Sequence, residues 1–110
     1  MRKTRRVLKA QEFQRIISRK RFVTSPSLVL YTDDRKENIS RIGISVGKRV
    51  GNAVYRNKCK RQLRMMCDEL TQYEDKKDYI LLARADYFKY SYEDNKKQLE
   101  NLLKKIKIKG

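Results

Sequence analysis

Seven lysines and arginines fall within the seventeen residues Lys48–Arg64, KRVGNAVYRNKCKRQLR, and no acid interrupts them. If the segment is helical, Arg56, Lys60 and Arg64 recur at i, i+4 and i+8 and form one ridge, with Asn57 and Arg61 in a second row beside it. Arginine forks grip phosphates through paired hydrogen bonds. Gly51 frees the backbone just before this helix, and the first turn of a helix offers unpaired N–H groups to an anion. Asn57, an uncharged amide among cations, points to a specific hydrogen bond rather than to a merely solvated basic face. The chemistry on offer is recognition of a polyanion.

Covalent chemistry finds no such constellation. The chain has no histidine, so the usual neutral-pH general base is missing. The acids lie mostly in the C-terminal half as adjacent pairs, Asp68/Glu69, Glu74/Asp75 and Glu93/Asp94. Neighbours on a helix point about 100° apart and make poor catalytic partners. Gly43, Gly47 and Gly51 match neither a dinucleotide fingerprint nor a phosphate loop. Two cysteines without a histidine argue against a zinc site. Cys59 and Cys67 stand eight apart on one helix, about 12 Å by helical rise, too far for a disulfide. They read as reduced, semi-buried thiols, which suits the cytoplasm.

The 110 residues fit one domain. Its net charge of +16 is concentrated in two blocks, residues 1–31 and 41–64, each +8, while residues 65–110 sum to only +1. Self-repulsion on that scale destabilises a compact monomer, and nucleic acid is the commonest polyanion that relieves it. No apolar run approaches the ~20 residues of a membrane span. The N-terminus lacks the apolar stretch of a secretory signal.

The elements that must position the cations follow from periodicity. Residues 1–9 read as a basic, poorly ordered arm. Phe13, Ile16 and Ile17 recur at i, i+3 and i+4, which predicts a short helix over Ala10–Arg19. Arg21–Ser25 reads as an edge strand. Ser27–Thr32 alternates, with Leu28 and Leu30 on one face and Val29 and Tyr31 on the other. Asp33–Asn38 is a polar turn, and Arg41–Val46 a strand paired antiparallel with the one before it. Asn52 caps a long helix to about Tyr73, with Cys59, Leu63, Met66, Cys67 and Leu70 on its apolar face. Asp78–Arg84 is a continuous apolar run, as expected of a central strand. Ser91 and Asp94 match a capping box for a last helix carrying Leu99, Leu102, Leu103 and Ile106. The order α-β-β-β-α-β-α makes this an α+β sandwich with a mixed sheet.

The segment GNAVYRNKCKRQLR resembles the signature of the bacterial ribonuclease P protein subunit. That family's basic dipeptide, Gly-Asn pair, Arg-Asn core and trailing basic residues fall here on Lys48-Arg49, Gly51-Asn52, Arg56-Asn57-Lys58, Lys60-Arg61 and Arg64. The resemblance extends to EFQRII around Phe13, LVLYT around Tyr31, RIGISVGKRVGNAV and DYILLAR, all in the family's order. Lys58 departs from the family's usual arginine, keeping the charge without the fork, and Ile17 stands where an aromatic is common.

The resemblance implies a two-layer fold like a domain of a small-subunit ribosomal protein, with a left-handed β-α-β crossover, an exception to the usual hand. It implies 5′ maturation of precursor tRNA in the cytoplasm, with the catalytic site in a partner RNA, magnesium held mainly by RNA phosphates, and no obligate protein partner. Lys48, Arg49, Asn52, Arg56, Asn57, Lys58, Lys60, Arg61 and Arg64 would meet that RNA. A cleft between the first helix and the sheet, with Phe13, Arg15, Ile17 and Tyr31, would hold the single-stranded 5′ leader. Read on its own, Phe13 fits a core position as well as a stacking one, whereas the strand alternation turns Tyr31 away from Leu28 and Leu30. A structural ribosomal protein is the alternative, sharing size, charge and the lack of catalytic groups. A DNA-binding regulator fits less well, because strands rather than paired short helices flank the basic helix. A stand-alone nuclease fits least.

Overall fold

A computed structural model describes residues 10–34, 40–71, 75 and 77–109. The expected basic arm over residues 1–9 and Tyr73, the expected end of the central helix, lie outside them. The elements are α1 (Ala10–Ser18), β1 (Phe22–Thr24), β2 (Leu28–Asp34), β3 (Ile42–Val46), a 3-10 turn (Lys48–Val50), α2 (Ala53–Leu70), β4 (Lys77–Ala83), a second 3-10 turn (Tyr87–Lys89) and α3 (Tyr92–Lys109).

The four strands form one mixed sheet in the order β1-β2-β4-β3. β4 runs antiparallel to β2 and parallel to β3. This corrects the expected β2–β3 pair: β4 lies between them. Tyr79, Ile80 and Leu81 are all buried, so β4 needs a strand on each side and cover on each face. An edge position would leave it half wet. The expected turn over Asp33–Asn38 is corrected at its first two residues, since β2 continues through Asp34 in register with Lys77; residues 35–39 lie outside the described ones.

Alternation along the strands splits the apolar residues between the two sheet faces. Leu28, Leu30, Ile42, Tyr79 and Leu81 join Cys59, Leu63 and Met66 of α2 and Leu99, Leu102 and Leu103 of α3 in the main core. The opposite face is smaller. There Ile80 and Ile16 of α1 are fully buried, with Phe13, Tyr31 and Leu82 packed against them. Both helix starts carry the expected caps: Asn52 Oδ1 accepts from the Tyr55 N–H at 3.2 Å, and Ser91 Oγ accepts from the Asp94 N–H at 3.1 Å.

Both cysteines are free and buried. Burial pushes the Cys59 thiol from 9.0 up to about 12. The unfolded chain therefore releases this proton near pH 9 while the folded chain keeps it. The contribution is complete below pH 9 and is lost as the pH rises toward 12, by up to ~1.4 kcal/mol per unit. Urea titrations at pH 8 and pH 10 should show a loss of stability about 1 kcal/mol larger in the wild type than in Cys59→Ala. Equal losses in the two proteins would show that the thiol ionises as readily folded as unfolded.

Candidate nucleic-acid interface

Two surfaces carry the features expected of an RNA-binding protein. The first is the outer side of α2 and the turn before it. Lys48 and Arg49 are exposed in that turn; Asn57, Lys58, Arg61 and Arg64 are exposed on α2, and Arg56 and Lys60 are half-buried. Among the described residues none of these seven cations is paired with a carboxylate. The first turn of α2 holds no acid, so the helix dipole adds to the positive field. The Arg56 Nε is buried and has no hydrogen-bond partner among the described residues.

Two expected contacts are placed differently within this group. Asn52 spends its side-chain oxygen on the helix cap. Lys58 stands with its ammonium 5.8 Å from the centre of the Phe88 ring, and Phe88 packs edge-on against Tyr55 at 5.6 Å. Lys58 lies about 200° around the helix from Arg56, beyond the row of Asn57 and Arg61 and away from the ridge of Arg56, Lys60 and Arg64.

The second surface is the sheet face beneath α1, and the strand register lays it out in rows. One row is charged. Arg15 Nη1 donates to Asp33 Oδ2 at 2.6 Å, and its Nη2 lies 3.7 Å from Asp78. Asp78 is fully buried; its Oδ1 accepts from the Arg41 backbone N–H at 2.9 Å, and Arg41 Nη2 approaches its Oδ2 at 3.4 Å. Arg41 also pairs with Glu12 of α1. These contacts tie α1 to β2, to β4 and to Arg41, the residue that leads into β3. Arg15, expected to follow leader phosphates, is committed to carboxylates instead.

The next row is aromatic and apolar. Phe22, Tyr31, Ile80 and Gly43 are consecutive partners across β1, β2, β4 and β3. The row spans three strand spacings, ~14 Å. At the β3 end the Phe13 ring lies on Gly43 so closely that a Cβ there would come within 2.4 Å of Phe13 Cζ. Phe13 therefore resolves to a half-buried ring with one face against backbone. Ile17, also expected in the cleft, is exposed at the helix surface while Ile16 is the buried member. The third row, Thr24, Val29, Leu82 and Ser45, is in register across the same strands and stays exposed or half-buried, a floor beside the helix.

Sequence reasoning missed Gly43, Phe22 and the two buried aspartates. The clue to Phe22 was an aromatic immediately after Arg19-Lys20-Arg21. The aspartates gave no signal, because a strand-borne acid looks like a turn residue until its arginine partners are placed.

The family model for ribonuclease P matches residues 1–107. The ribonuclease P protein component of Bacillus velezensis is 37% identical over 109 residues, covering 98% of this chain and 94% of that protein. That of Mycoplasma capricolum is 41% identical over 108 residues, covering 96% and 99%. The RNase P protein of Staphylococcus aureus superposes with a TM-score of 0.80 at 36% identity, over 94% of this chain and 95% of its own.

Proposed function

Because the chain belongs to the ribonuclease P protein family and is the protein subunit of that ribonucleoprotein endoribonuclease, we propose that its two surfaces divide the work. In this reading the ridge on α2 grips the catalytic RNA, and the sheet face beside α1 holds the 5′ leader of precursor tRNA. The observation that carries it is the set of seven cations from Lys48 to Arg64, none paired with a carboxylate among the described residues. Unpaired cations crowded on one helix and the turn before it are costly by mutual repulsion unless a polyanion covers them.

Magnesium, in this reading, sits on RNA phosphates. The carboxylates that approach one another beneath α1 do not suit a metal, because the guanidinium groups of Arg15 and Arg41 already stand against Asp33, Asp78 and Glu12. The protein's part is to bind, orient and screen. Its positive charge lowers phosphate repulsion between the catalytic RNA and its substrate, so its effect is largest at low magnesium. The surface suits a cytoplasmic RNA, and among the described residues no helix is long and apolar enough to cross a membrane.

The test is the salt dependence of binding to the cognate RNA. Each phosphate contact contributes roughly 0.7–0.9 to the slope of log affinity against log salt. Arg56→Ala and Arg61→Ala should each flatten that slope by about one unit. An unchanged slope in both variants would mean the ridge faces away from RNA. Cleavage of precursor tRNA by RNA-free protein, surviving a nuclease control, would contradict the division of work itself.

A further inference from the structure

Phe22 occupies an unusual place for a phenylalanine. It lies on β1, the edge strand next to β2, and 47% of it is exposed. Burying a phenylalanine is worth ~1.5–3 kcal/mol relative to leaving it in water, and about half of that gain is forgone here. Among the described residues its ring contact is with Tyr31, the residue directly opposite in register. The two centroids are 5.1 Å apart and the planes are tilted by 39°. The result is a pair of adjoining rings at the open end of the row whose other end is Phe13 on Gly43.

The surroundings are cationic. Arg19, Lys20 and Arg21, all exposed, lead directly into Phe22; of these only Arg19 comes within ion-pair distance of a described carboxylate, Asp33 at 3.7 Å, and Arg19 and Arg21 both act on the exposed Asp34 from farther away. Lys20 has φ of +56°, a left-handed conformation that glycine adopts without strain and lysine does not. A lysine kept in that turn retains a charge beside the rings at a cost in backbone energy. An exposed ring adjoining a half-buried one, with cations beside them, is the chemistry of a platform for unpaired bases. Every base has a π face, and the neighbouring phosphates find the cations.

We propose that Phe22 is a further leader-binding residue, forming with Tyr31 a two-ring platform that takes one unpaired base of the precursor strand. This rests on the assignment of the sheet face to the leader. It extends that site outward from α1 to the edge of the sheet and makes Phe22 the residue that sets how far the strand is gripped.

The experiment uses the assembled ribonucleoprotein and precursor tRNAs whose leaders carry a single abasic nucleotide at successive positions. With wild-type protein, one position should show a loss of affinity of roughly fivefold or more. Phe22→Ala should lower the affinity for the intact leader by a similar factor, and the abasic substitution at that position should then cost nothing further. Phe22→Tyr should restore both affinity and the abasic penalty, whereas Phe22→Leu, apolar but not aromatic, should not. Binding of mature tRNA should be unchanged in all three.

If Tyr31→Ala abolishes leader preference while Phe22→Ala leaves it intact, the proposal fails and the leader site stands. If neither variant alters leader preference, the leader assignment itself is wrong. An equal loss on mature tRNA, or a concentration-dependent self-association of the protein that Phe22→Ala removes, would overturn the proposal by assigning the ring to another contact.

Discussion

Asp78→Ala should cost this protein about 3–5 kcal/mol of stability, the usual penalty for removing one partner of a buried ion pair. The carboxylate is fully buried and serves three groups. It accepts from the Arg41 backbone N–H, lies 3.4 Å from the Arg41 guanidinium, and lies 3.7 Å from that of Arg15. Its removal strands a part-buried backbone donor and takes a carboxylate away from two part-buried guanidinium groups. In a domain whose whole stability is about 5–15 kcal/mol, that loss is roughly a fifth or more, equivalent to a fall in melting temperature of at least ~12 °C.

Asp34, the cross-strand partner of Lys77 and exposed, is the natural control. Lys77 holds its carboxyl below the usual carboxylate range, yet the pair is solvated and Asp34→Ala should change the melting temperature little. Thermal unfolding of the three proteins at one salt concentration decides the matter. A fall of under 3 °C in Asp78→Ala would show that the arginines find water or other partners without loss, and that α1 is not held by this network.

The contrast between those two aspartates shows where the sequence was legible. Periodicity specifies which face of an element is apolar, so α2 was read correctly as burying Cys59, Leu63, Met66 and Cys67 with a basic flank beside them. The same reasoning found β4 as a central strand, because three successive buried residues suit no edge position. Periodicity does not specify the partner of a strand. β2 and β3 alternate as two strands of a hairpin would, and only the insertion of β4 between them shows that they do not pair.

Ion pairs were hidden for a related reason. Asp33 and Asp78 become neighbours only because β2 and β4 align in register, and Arg15 reaches them from a helix more than fifteen residues away in sequence. The cationic ridge needed no such information, since a helix brings its members together locally. Family resemblance supplied the cleft between α1 and the sheet. Its geometry, with Phe13 seated on Gly43 and Phe22 beside Tyr31, depended on four strands in register.

Tyr31→Ala tests the division between the two RNA surfaces. Tyr31 is half-buried, packed on one side against Ile16 and Ile80 and on the other beside Phe22. If it stacks on a leader base, its removal should weaken binding of precursor tRNA with a leader of several nucleotides by ~1–3 kcal/mol, roughly 5- to 150-fold. Binding of mature tRNA, which has no leader, should be nearly unchanged, as should assembly with the catalytic RNA. Asn57→Ala should act in reverse: assembly weakens, and leader preference returns once excess protein restores the complex. Tyr31→Ala also leaves a hole beside Ile16 and Ile80, so Tyr31→Phe, which keeps the ring and its packing, separates stacking from folding and should bind the leader almost as the wild type does. A pulldown for assembly and a leader-length series for substrate affinity measure the two surfaces independently. Equal weakening of precursor and mature tRNA by Tyr31→Ala, with Tyr31→Phe intact, would place the ring's role in the fold of the sheet face rather than in contact with a leader base.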